Sequence, residues 1–404
     1  MQTNRIDLPL ALTIFALSIF GWMMIASLSG PASYTVNINN GIDCSLDSVN
    51  CNSIYMWRHF WHMVLGIAIC IGTLFIPYGF WKKSSPILFG ITIAMLIIVL
   101  ISNYGAKLGT FAQSWINIPG LPVFQPSEFA KIVLILYLAN WMSKRSEQIR
   151  TIKEGLFPFA VLTSIIILPV IRQPDYGSAL VIAIIAASIF YLAGAKIYHI
   201  LLGGTIVVVL AAVIINGVLD DKTKEHLLKR LFPPEHSELK EGFQPRQALI
   251  AVGTGGLTGV GYNSSRQKHR WLPEVESDYI FAGTAEELGF IRIIWVIGAY
   301  LFIAYRGFII AKNAPDRFGR LTAVGITIAI VSQAFVHIAI NLDIFPVTGI
   351  TLPLISRGGS SLIVTLFSLG ILLNISKNVL PETAHLTHRR RIRRPHYPQP
   401  RYYR

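Results

Sequence analysis

Charged side chains are scarce in this sequence. Asp, Glu, Lys and Arg together make up 14% of its 404 residues, whereas hydrophobic residues make up 53%. Because a soluble globular domain carries roughly 25% charged residues, this composition argues against a soluble protein. Segments of about ten residues with alternating hydrophobicity, which mark a membrane β-barrel, are also absent. The composition therefore predicts an all-α polytopic membrane protein.

Acidic residues are fewer than basic ones, 21 against 35, and the net charge is +14. Much of the basic excess lies in short loops and in the C-terminal segment His388–Arg404. Such a distribution is typical of membrane topology signals and of attraction to anionic lipid headgroups. We therefore expect no nucleic-acid partner.

Cysteine is rare, with three residues in the whole chain. Cys70 lies within an apolar run and is expected to be an inert core residue. Cys44 and Cys51 flank a short segment of the first loop, and they could form a disulfide if that loop is extracytoplasmic. Two free thiols are the alternative.

Apolar runs of about 17–25 residues can each cross a bilayer as a helix, and we count about ten such runs. Their approximate limits are 8–29, 59–78, 86–103, 127–142, 155–171, 176–194, 197–217, 279–305, 321–342 and 352–375. Basic residues concentrate in alternate loops, which places both termini in the cytoplasm. Residues 1–377 would then form one transmembrane domain, with a large extracytoplasmic loop at 218–277 between the seventh and eighth spans. Residues 378–404 would form a polybasic cytoplasmic tail, which we expect to be disordered.

Four polar clusters lie at the predicted outer ends of spans, and Gln125–Lys131 is the first of them. Pro126 and Ser127 suit the start of a helix. Glu128 and Lys131 are three residues apart, so they share one helix face and can form an ion pair. The pair could bind substrate, or it could neutralise itself and fix helix packing.

The second cluster, Arg172–Ala179, is a tight outer turn between two spans. Asp175 follows a proline and is a good N-cap for the next helix. This structural role would explain the residue on its own. Alternatively, Arg172 or Asp175 could contact a substrate.

The third cluster is Gln267–Gly289, and glycine-rich Gly253–Gly261 precedes it. These glycines are spaced too irregularly for a dinucleotide-binding fingerprint, so we expect close backbone packing instead. Lys268 and Arg270 would suit an anionic ligand at the membrane surface. Asp278 opens the eighth span, where ionisable residues are functional candidates by default, with an N-cap role as the alternative.

The fourth cluster, Phe345–Ser361, contains prolines and glycines that interrupt the beginning of the last span. Interrupted backbone at membrane depth is tolerated where protein or water satisfies its polar groups, which favours a cavity lining. The sequence contains no zinc-ligand spacing, P-loop or Ser-His-Asp signature. The residues alone therefore indicate a membrane protein with an outward-facing polar cavity.

In this order, the clusters resemble the motifs of the SEDS family (shape, elongation, division and sporulation), which comprises FtsW, RodA and SpoVE. The resemblance extends over about 100–377. Its motifs fall on Gln125–Lys131, Gln173–Ala179, Gly255–Gly261, Gln267–Gly289 and Pro346–Ser361. Four residues depart from the family pattern: Arg357 replaces a small residue or Tyr, His337 and Asp343 replace Asn and Gly, and Phe111 replaces Gly.

The resemblance implies ten transmembrane helices in the bacterial cytoplasmic membrane and peptidoglycan glycosyltransferase activity. Family members polymerise lipid II into glycan strands at the outer membrane face, during cell division or elongation. They act with a class B penicillin-binding protein, which crosslinks the product, and with other divisome or elongasome membrane proteins. A divalent cation, Mg²⁺ or Mn²⁺, is also implied, although the sequence shows no set of metal ligands.

By the same resemblance, Asp278 is the catalytic residue, and we expect it to act as a general base. The candidates for binding lipid II and the growing glycan chain are Glu128, Lys131, Arg172, Asp175, Lys268, Arg270, Glu274, Ser356 and Ser360. Glu276 is expected to be solvated. Glu286 and Glu287 match the family pattern, but the sequence gives them no evident role.

A lipid II flippase is the main alternative function, and a structural scaffold for division or elongation is another. A flippase needs polar residues throughout the depth of the membrane, in order to carry a headgroup across. Here the polar clusters concentrate at the outer ends of the spans. That placement favours chemistry at the membrane surface.

Overall fold

Helices dominate the part of the chain that the computed structural model describes, namely residues 6–39, 44, 51–101, 105–106, 114–116, 123–145, 147–205, 240–269 and 271–378. The helices of the N-terminal half are α1 (Leu8–Leu28), α2 (Gly30–Asn39), α3 (Ile54–Thr73), α4 (Tyr78–Ile101), α5 (Pro126–Ser143), α6 (Phe157–Arg172) and α7 (Tyr176–Leu192). Those of the C-terminal half are α8 (Lys240–Gly255), α9 (Ile280–Lys312), α10 (Arg317–Asn341) and α11 (Gly359–Lys377). Two short antiparallel strands, β1 (Gly105–Ala106) and β2 (Trp115–Ile116), lie between α4 and α5. A 3₁₀ turn and a π turn precede α6, at Gln148–Arg150 and Ile152–Leu156.

Seven helical segments of the described residues are long and apolar enough to cross a membrane. They are α1, α3, α4, α6 with its preceding turn, α9, α10 and α11. Helix α7 is apolar but shorter. The predicted seventh span, 197–217, is helical at 197–205, and its remainder lies outside the described residues. The all-α membrane fold is confirmed, whereas the count of ten spans stays a prediction.

Three helices begin far from the predicted start of their spans. Helix α4 begins at Tyr78 instead of residue 86, since Pro86 lies inside this helix and not at its start. Helix α3 begins at Ile54 instead of residue 59, because an aromatic first turn, typical of the membrane interface, continues the apolar run. Helix α11 begins at Gly359 instead of residue 352. Leu354 has a φ of 68°, a left-handed conformation that no α-helix can include.

The predicted large loop at 218–277 contains helix α8, which packs along α9. The sequence did not predict this helix, because Pro245 and the glycines at its end are typical of loops. Gly255 permits the close packing. A β-carbon at that position would lie 2.2 Å from the carbonyl oxygen of Ala285 on α9.

Helix α9 is interrupted at Gly289, where the backbone has a φ of 76° and a ψ of 173°. The turn at 256–261 fills the interruption. Two amides of α9 beyond the break donate to carbonyl groups of this turn, and two amides of the turn donate to carbonyl groups before the break, at 2.9–3.1 Å. The glycine-rich motif therefore satisfies backbone groups that a broken membrane helix would leave unpaired.

The two ends of the described chain meet at one end of the helical bundle. The Asp7 carboxylate, which caps α1, lies 2.6 Å from Nη2 of Arg306 on α9. The Asp7 amide donates a hydrogen bond of 3.1 Å to the Ser376 hydroxyl on α11. The start of α1 and the end of α11 are thus on the same side of the bundle.

A disulfide joins Cys44 to Cys51, which decides between the two alternatives left open by the sequence. The Asn37 side-chain amide donates to the carbonyl oxygen of Cys51 at 2.8 Å, so the disulfide lies against the end of α2. Cys70 is a free, buried thiol, as expected. Because disulfides persist in oxidising compartments, this pairing favours an extracytoplasmic position for the first loop.

Cys51→Ser is expected to lower the thermal unfolding temperature of the purified protein in detergent. The disulfide closes a loop with a sequence separation of 7. The loop-entropy relation gives about 2–3 kcal/mol for a loop of this size. Treatment with a reductant should lower the unfolding temperature of the wild type and leave that of the variant unchanged. Equal unfolding temperatures for the two proteins would contradict the expectation.

Candidate active site

Asp278 lies in the turn that leads into α9, at a partly buried position. The Ser277 hydroxyl donates to Oδ1 of Asp278 at 2.9 Å. The N-cap of α9 is Tyr279, without a side-chain capping bond, so Asp278 does not perform the alternative capping role. Its carboxylate therefore remains available for another function.

The pKa of the Asp278 carboxyl is raised to about 6. Burial is the main cause, and the neighbouring carboxylates of Glu274 and Glu276 also raise the pKa. The Ser277 hydrogen bond and the Arg357 charge act in the opposite direction. A carboxylate whose pKa lies near the working pH is suited to accept a proton in catalysis.

The non-helical segment at 345–358 holds the Asp278 turn in place. The Ser356 hydroxyl donates to the carbonyl oxygen of Ser277 at 2.7 Å and accepts from the Leu352 amide at 2.8 Å. Gly349, with a φ of 72°, lies so close that a β-carbon would be 3.4 Å from Oδ2 of Asp278. The third and fourth sequence clusters are therefore adjacent, and Ser356 connects them through hydrogen bonds.

Asn341, at the end of α10, fixes the turn from the other side. Its side-chain nitrogen donates to the carbonyl oxygen of Asp278, and its side-chain oxygen accepts from the Ala282 amide, both at 3.0 Å. The sequence interpretation missed Asn341. A polar residue within the predicted apolar span 321–342 was the available signal.

Glu128 and Lys131 form the predicted ion pair, with Nζ 2.8 Å from Oε2, and both side chains are buried. The Lys131 ammonium also donates to Oε1 of Gln333 on α10 at 2.6 Å. Gln333 in turn donates to the carbonyl oxygen of Thr351 at 3.0 Å. Through Gln333, another polar residue of an apolar span, the first cluster is linked to the fourth.

Asp175 caps α7, since its Oδ1 accepts from the Ser178 amide at 3.1 Å. Its Oδ2 accepts from the Ser127 hydroxyl at 2.8 Å and from the Gln125 side-chain amide at 3.0 Å. Asp175 therefore joins the second cluster to the first. Arg172, at the end of α6, is exposed.

Glu286 and Glu287 anchor the turn that precedes the Asp278 motif. Glu286 accepts hydrogen bonds from the Ser265 hydroxyl and from the Arg266 amide, the latter at 3.0 Å. Glu287 accepts from the Ser27 hydroxyl of α1 at 2.5 Å and from the Ser265 amide at 3.3 Å. The structure thus supplies the contacts that the sequence could not assign to these two glutamates.

The Lys268 ammonium is buried among oxygen atoms. It donates to the carbonyl oxygens of Ser27 and Asn263 at 3.1 and 2.8 Å, and it lies 3.4 Å from Oε1 of Glu287. The Lys268 side chain also lines a cavity of about 530 Å³, together with Tyr34 and His269. Because Glu287 compensates the ammonium charge, this cavity suits a neutral polar group better than a free anion.

The remaining candidates differ in their surroundings. Glu276 is 3% exposed, so the expectation that it is solvated was wrong. Glu274 is exposed and ion-paired with Arg357 at 3.1 Å. Ser360 is buried, and its hydroxyl has no hydrogen-bond partner among the described residues. Arg270 lies outside the described residues.

In the described part of the chain, no group of three or more His, Cys, Asp or Glu side chains is arranged to hold a metal ion. The Glu274 carboxylate near Asp278 is engaged with Arg357 and the Ser277 hydroxyl. These residues do not form a preformed cation cage.

Alanine substitution of Glu128 and of Lys131 should act through one shared pair. Each single variant leaves a buried charge without its partner, at a cost of about 3–5 kcal/mol, whereas the double variant leaves neither charge. We expect a coupling energy of about 0.5–3 kcal/mol in a double-mutant cycle of thermal unfolding in detergent. Additive effects of the two substitutions would count against the pair.

Comparisons with known proteins indicate the family of this chain. A family model described as "Cell cycle protein", for FtsW, RodA and SpoVE, matches residues 8–380. A "Probable peptidoglycan glycosyltransferase FtsW" of Trichlorobacter lovleyi is 34% identical over 371 residues, which cover 92% of this chain and 93% of the relative. The relative of the same description from Geobacter metallireducens is 35% identical over 376 residues, covering 93% and 96%.

Two solved structures share the fold. A crystal structure of Thermus thermophilus rod shape determining protein RodA has a TM-score of 0.65 at 25% identity, and covers 93% of this chain and 98% of that chain. A second match belongs to "Structural coordination of polymerization and crosslinking by a peptidoglycan synthase complex", with a TM-score of 0.73 at 24% identity. It covers 93% of this chain and 99% of that chain.

Proposed function

The chain belongs to the family of FtsW, RodA and SpoVE cell cycle proteins, and on this premise we propose that it is a peptidoglycan glycosyltransferase. It polymerises lipid II into glycan strands at the outer face of the cytoplasmic membrane, and Asp278 is its general base. The observation that carries this proposal is the Asp278 carboxyl group: its pKa is raised to about 6, and hydrogen bonds from α10 and the segment at 345–358 hold the backbone of its turn.

The proposed step transfers a glycosyl group between two membrane-anchored substrates. The 4-hydroxyl oxygen of an acceptor GlcNAc attacks the anomeric carbon of the donor, and the bond from that carbon to undecaprenyl diphosphate breaks. Asp278 accepts the hydroxyl proton. Because a sugar hydroxyl is a weak nucleophile, a positioned base contributes roughly 10²–10⁴-fold to the rate.

The leaving diphosphate requires positive charge in the protein. Arg172 is exposed, and we retain it as a candidate together with Arg270. Lys268 was a third candidate, but its ammonium already contacts Glu287 and two carbonyl oxygens. We therefore assign Lys268 to holding the turn at 263–269, and its cavity to a neutral sugar or peptide part of the substrate.

We also propose a requirement for Mg²⁺ or Mn²⁺. Such a cation is commonly bound through substrate phosphates together with water, with few protein ligands. The role proposed for Asp278, which is to accept a proton, does not depend on this cation.

We also propose an orientation in which Asp278 lies at the outer face of the membrane. The Cys44–Cys51 disulfide and the distribution of basic residues both favour an extracytoplasmic first loop and cytoplasmic termini. A class B penicillin-binding protein is the proposed main partner, together with other membrane proteins of the divisome or elongasome. The fold match to a chain of a peptidoglycan synthase complex supports this partnership.

One experiment separates the polymerase from the lipid II flippase. Purified protein is incubated with lipid II in detergent, where no membrane exists to be crossed, and the products are resolved on a gel. A polymerase gives a ladder of glycan strands. A flippase gives no polymer in detergent, yet moves fluorescent lipid II between the leaflets of reconstituted vesicles.

The polymerisation rate should fall as the pH is lowered through about 6. The pKa of Asp278 is raised to about 6, so its carboxylate form dominates at higher pH and the protonated, inactive form dominates at lower pH. Below that pH, the initial rate should decrease about tenfold per pH unit. Unfolding temperatures recorded at each pH serve as the control. A rate that stays constant from pH 7.5 to pH 5 would contradict the assignment.

A further inference from the structure

Arg357 connects three separate elements beside Asp278. Its guanidinium carbon lies 3.9 Å from the ring centroid of Tyr55, at the start of α3. Its Nη2 lies 3.1 Å from Oε2 of Glu274 and 3.4 Å from Oε1 of Glu276, and its amide donates to the Glu276 carbonyl oxygen at 2.9 Å. A planar guanidinium fits this combination of an aromatic face and two carboxylates.

The turn that Arg357 contacts carries three carboxyl groups within five residues: Glu274, Glu276 and Asp278. The Glu276 side chain is 5% exposed, so an ionised Glu276 requires a partner. Among the described residues, Arg357 is the basic side chain that forms an ion pair with it. Without that charge, the two glutamates would face Asp278 uncompensated.

We propose that Arg357 is a positioning residue for the catalytic base: it holds the turn at 274–278 and places a positive charge beside its carboxyl groups. This inference rests on the proposed function. Tyr55 fixes the position of the guanidinium. The Tyr55 amide donates to the Ser33 hydroxyl of α2 at 3.3 Å, so the first extracytoplasmic loop also supports the site.

The charges around Asp278 have the signs that this role requires. Glu274 and Glu276 raise its pKa, and Arg357 lowers it. The titratable or charged groups contributed by the neighbouring elements are Glu274, Glu276, Tyr279, Asp343, Tyr55 and Arg357. Arg357 is the cation of this set, so its loss is expected to raise the pKa of Asp278.

The test reads the ionisation of Asp278 without relying on activity. A carbodiimide reacts with protonated carboxyl groups, so labelling of Asp278 is followed by peptide mass spectrometry between pH 4 and pH 9. For Arg357→Gln, the labelling midpoint should rise by about one pH unit, the lower range for loss of a nearby opposite charge. Arg357→Lys keeps the charge and should stay close to the wild type. Adding Glu276→Gln to Arg357→Gln should bring the midpoint back down.

Polymerisation assays on the same variants complete the test. The acid limb of the rate profile should move with the labelling midpoint, so Arg357→Gln loses about fivefold in rate at pH 6 and recovers at pH 8. An unchanged labelling midpoint in Arg357→Gln overturns the inference, as does a raised KM with an unshifted profile, which indicates direct substrate contact. If the midpoint shifts while the wild type makes no polymer, the proposed function fails, and only the effect of Arg357 on the ionisation of Asp278 stands.

Discussion

Asp278→Ala is expected to reduce polymerisation of lipid II by at least about 10²-fold, because the acceptor hydroxyl then loses its proton acceptor. Asp278→Asn should be equally inactive, since an amide of the same shape cannot take the proton. Both variants should remain folded, because the hydrogen bonds from Asn341 and Ser356 go to backbone carbonyl groups of this turn and survive the substitutions. Initial rates on a glycan gel and unfolding temperatures measure the two quantities.

Asp343→Asn is the matched control for Asp278→Asn. Asp343 is an exposed aspartate on the turn that follows α10. Its φ of 56° lies in the left-handed region, which asparagine tolerates as well as aspartate does. This control should retain nearly the full rate. Polymerisation by Asp278→Ala at a rate near that of Asp343→Asn would remove Asp278 from the mechanism.

Glu287→Ala is expected to be among the most destabilising of the proposed substitutions. The Glu287 side chain has 0% exposure and connects α1, the turn at 263–269 and α9 through Ser27, Ser265 and Lys268. Its removal leaves the Lys268 ammonium buried without a counter-charge, and such a change costs about 3–5 kcal/mol. Thermal unfolding of the purified protein in detergent measures this loss.

A double variant tests the role of charge at this position, and a surface variant serves as the control. Lys268→Met in the Glu287→Gln background removes both charges and should recover part of the lost stability, because apolar replacement of a buried pair is often nearly neutral. Glu154→Ala removes an exposed glutamate and should change stability by no more than about 0.5 kcal/mol. An unfolding temperature for Glu287→Ala equal to that of Glu154→Ala would show that the contacts of Glu287 do not stabilise the fold.

Long apolar runs made most of the helices predictable, because their length and composition are properties of short segments. Helix α11 shows where this approach fails. The run at 352–358 is apolar enough for a span. Its prolines and glycines indicated an interruption, but they did not locate the left-handed backbone at Leu354 that excludes this run from the helix. The break in α9 at Gly289 was equally hidden, since its partner turn lies about 30 residues earlier in the chain.

The candidate site was predictable to a similar extent. The sequence motifs located Asp278, the Glu128–Lys131 pair and the segment at 345–358, and geometry then brought them together. Burial of Glu276 and the contacts of Glu286 and Glu287 could not be predicted, because both depend on distant partners. Arg357 departs from the family pattern, and its role became apparent only when Tyr55 and Glu276 were found around it.

The most direct test of the central claim is the amount of glycan strands made from lipid II by the purified protein, resolved on a gel, with and without its cognate class B penicillin-binding protein. Glycosyl transfer with Asp278 as base predicts a ladder of glycan strands for the wild type, more abundant with the partner, and none for Asp278→Ala in either condition. A ladder of equal intensity from Asp278→Ala, or no ladder from the wild type with its partner, would contradict the claim.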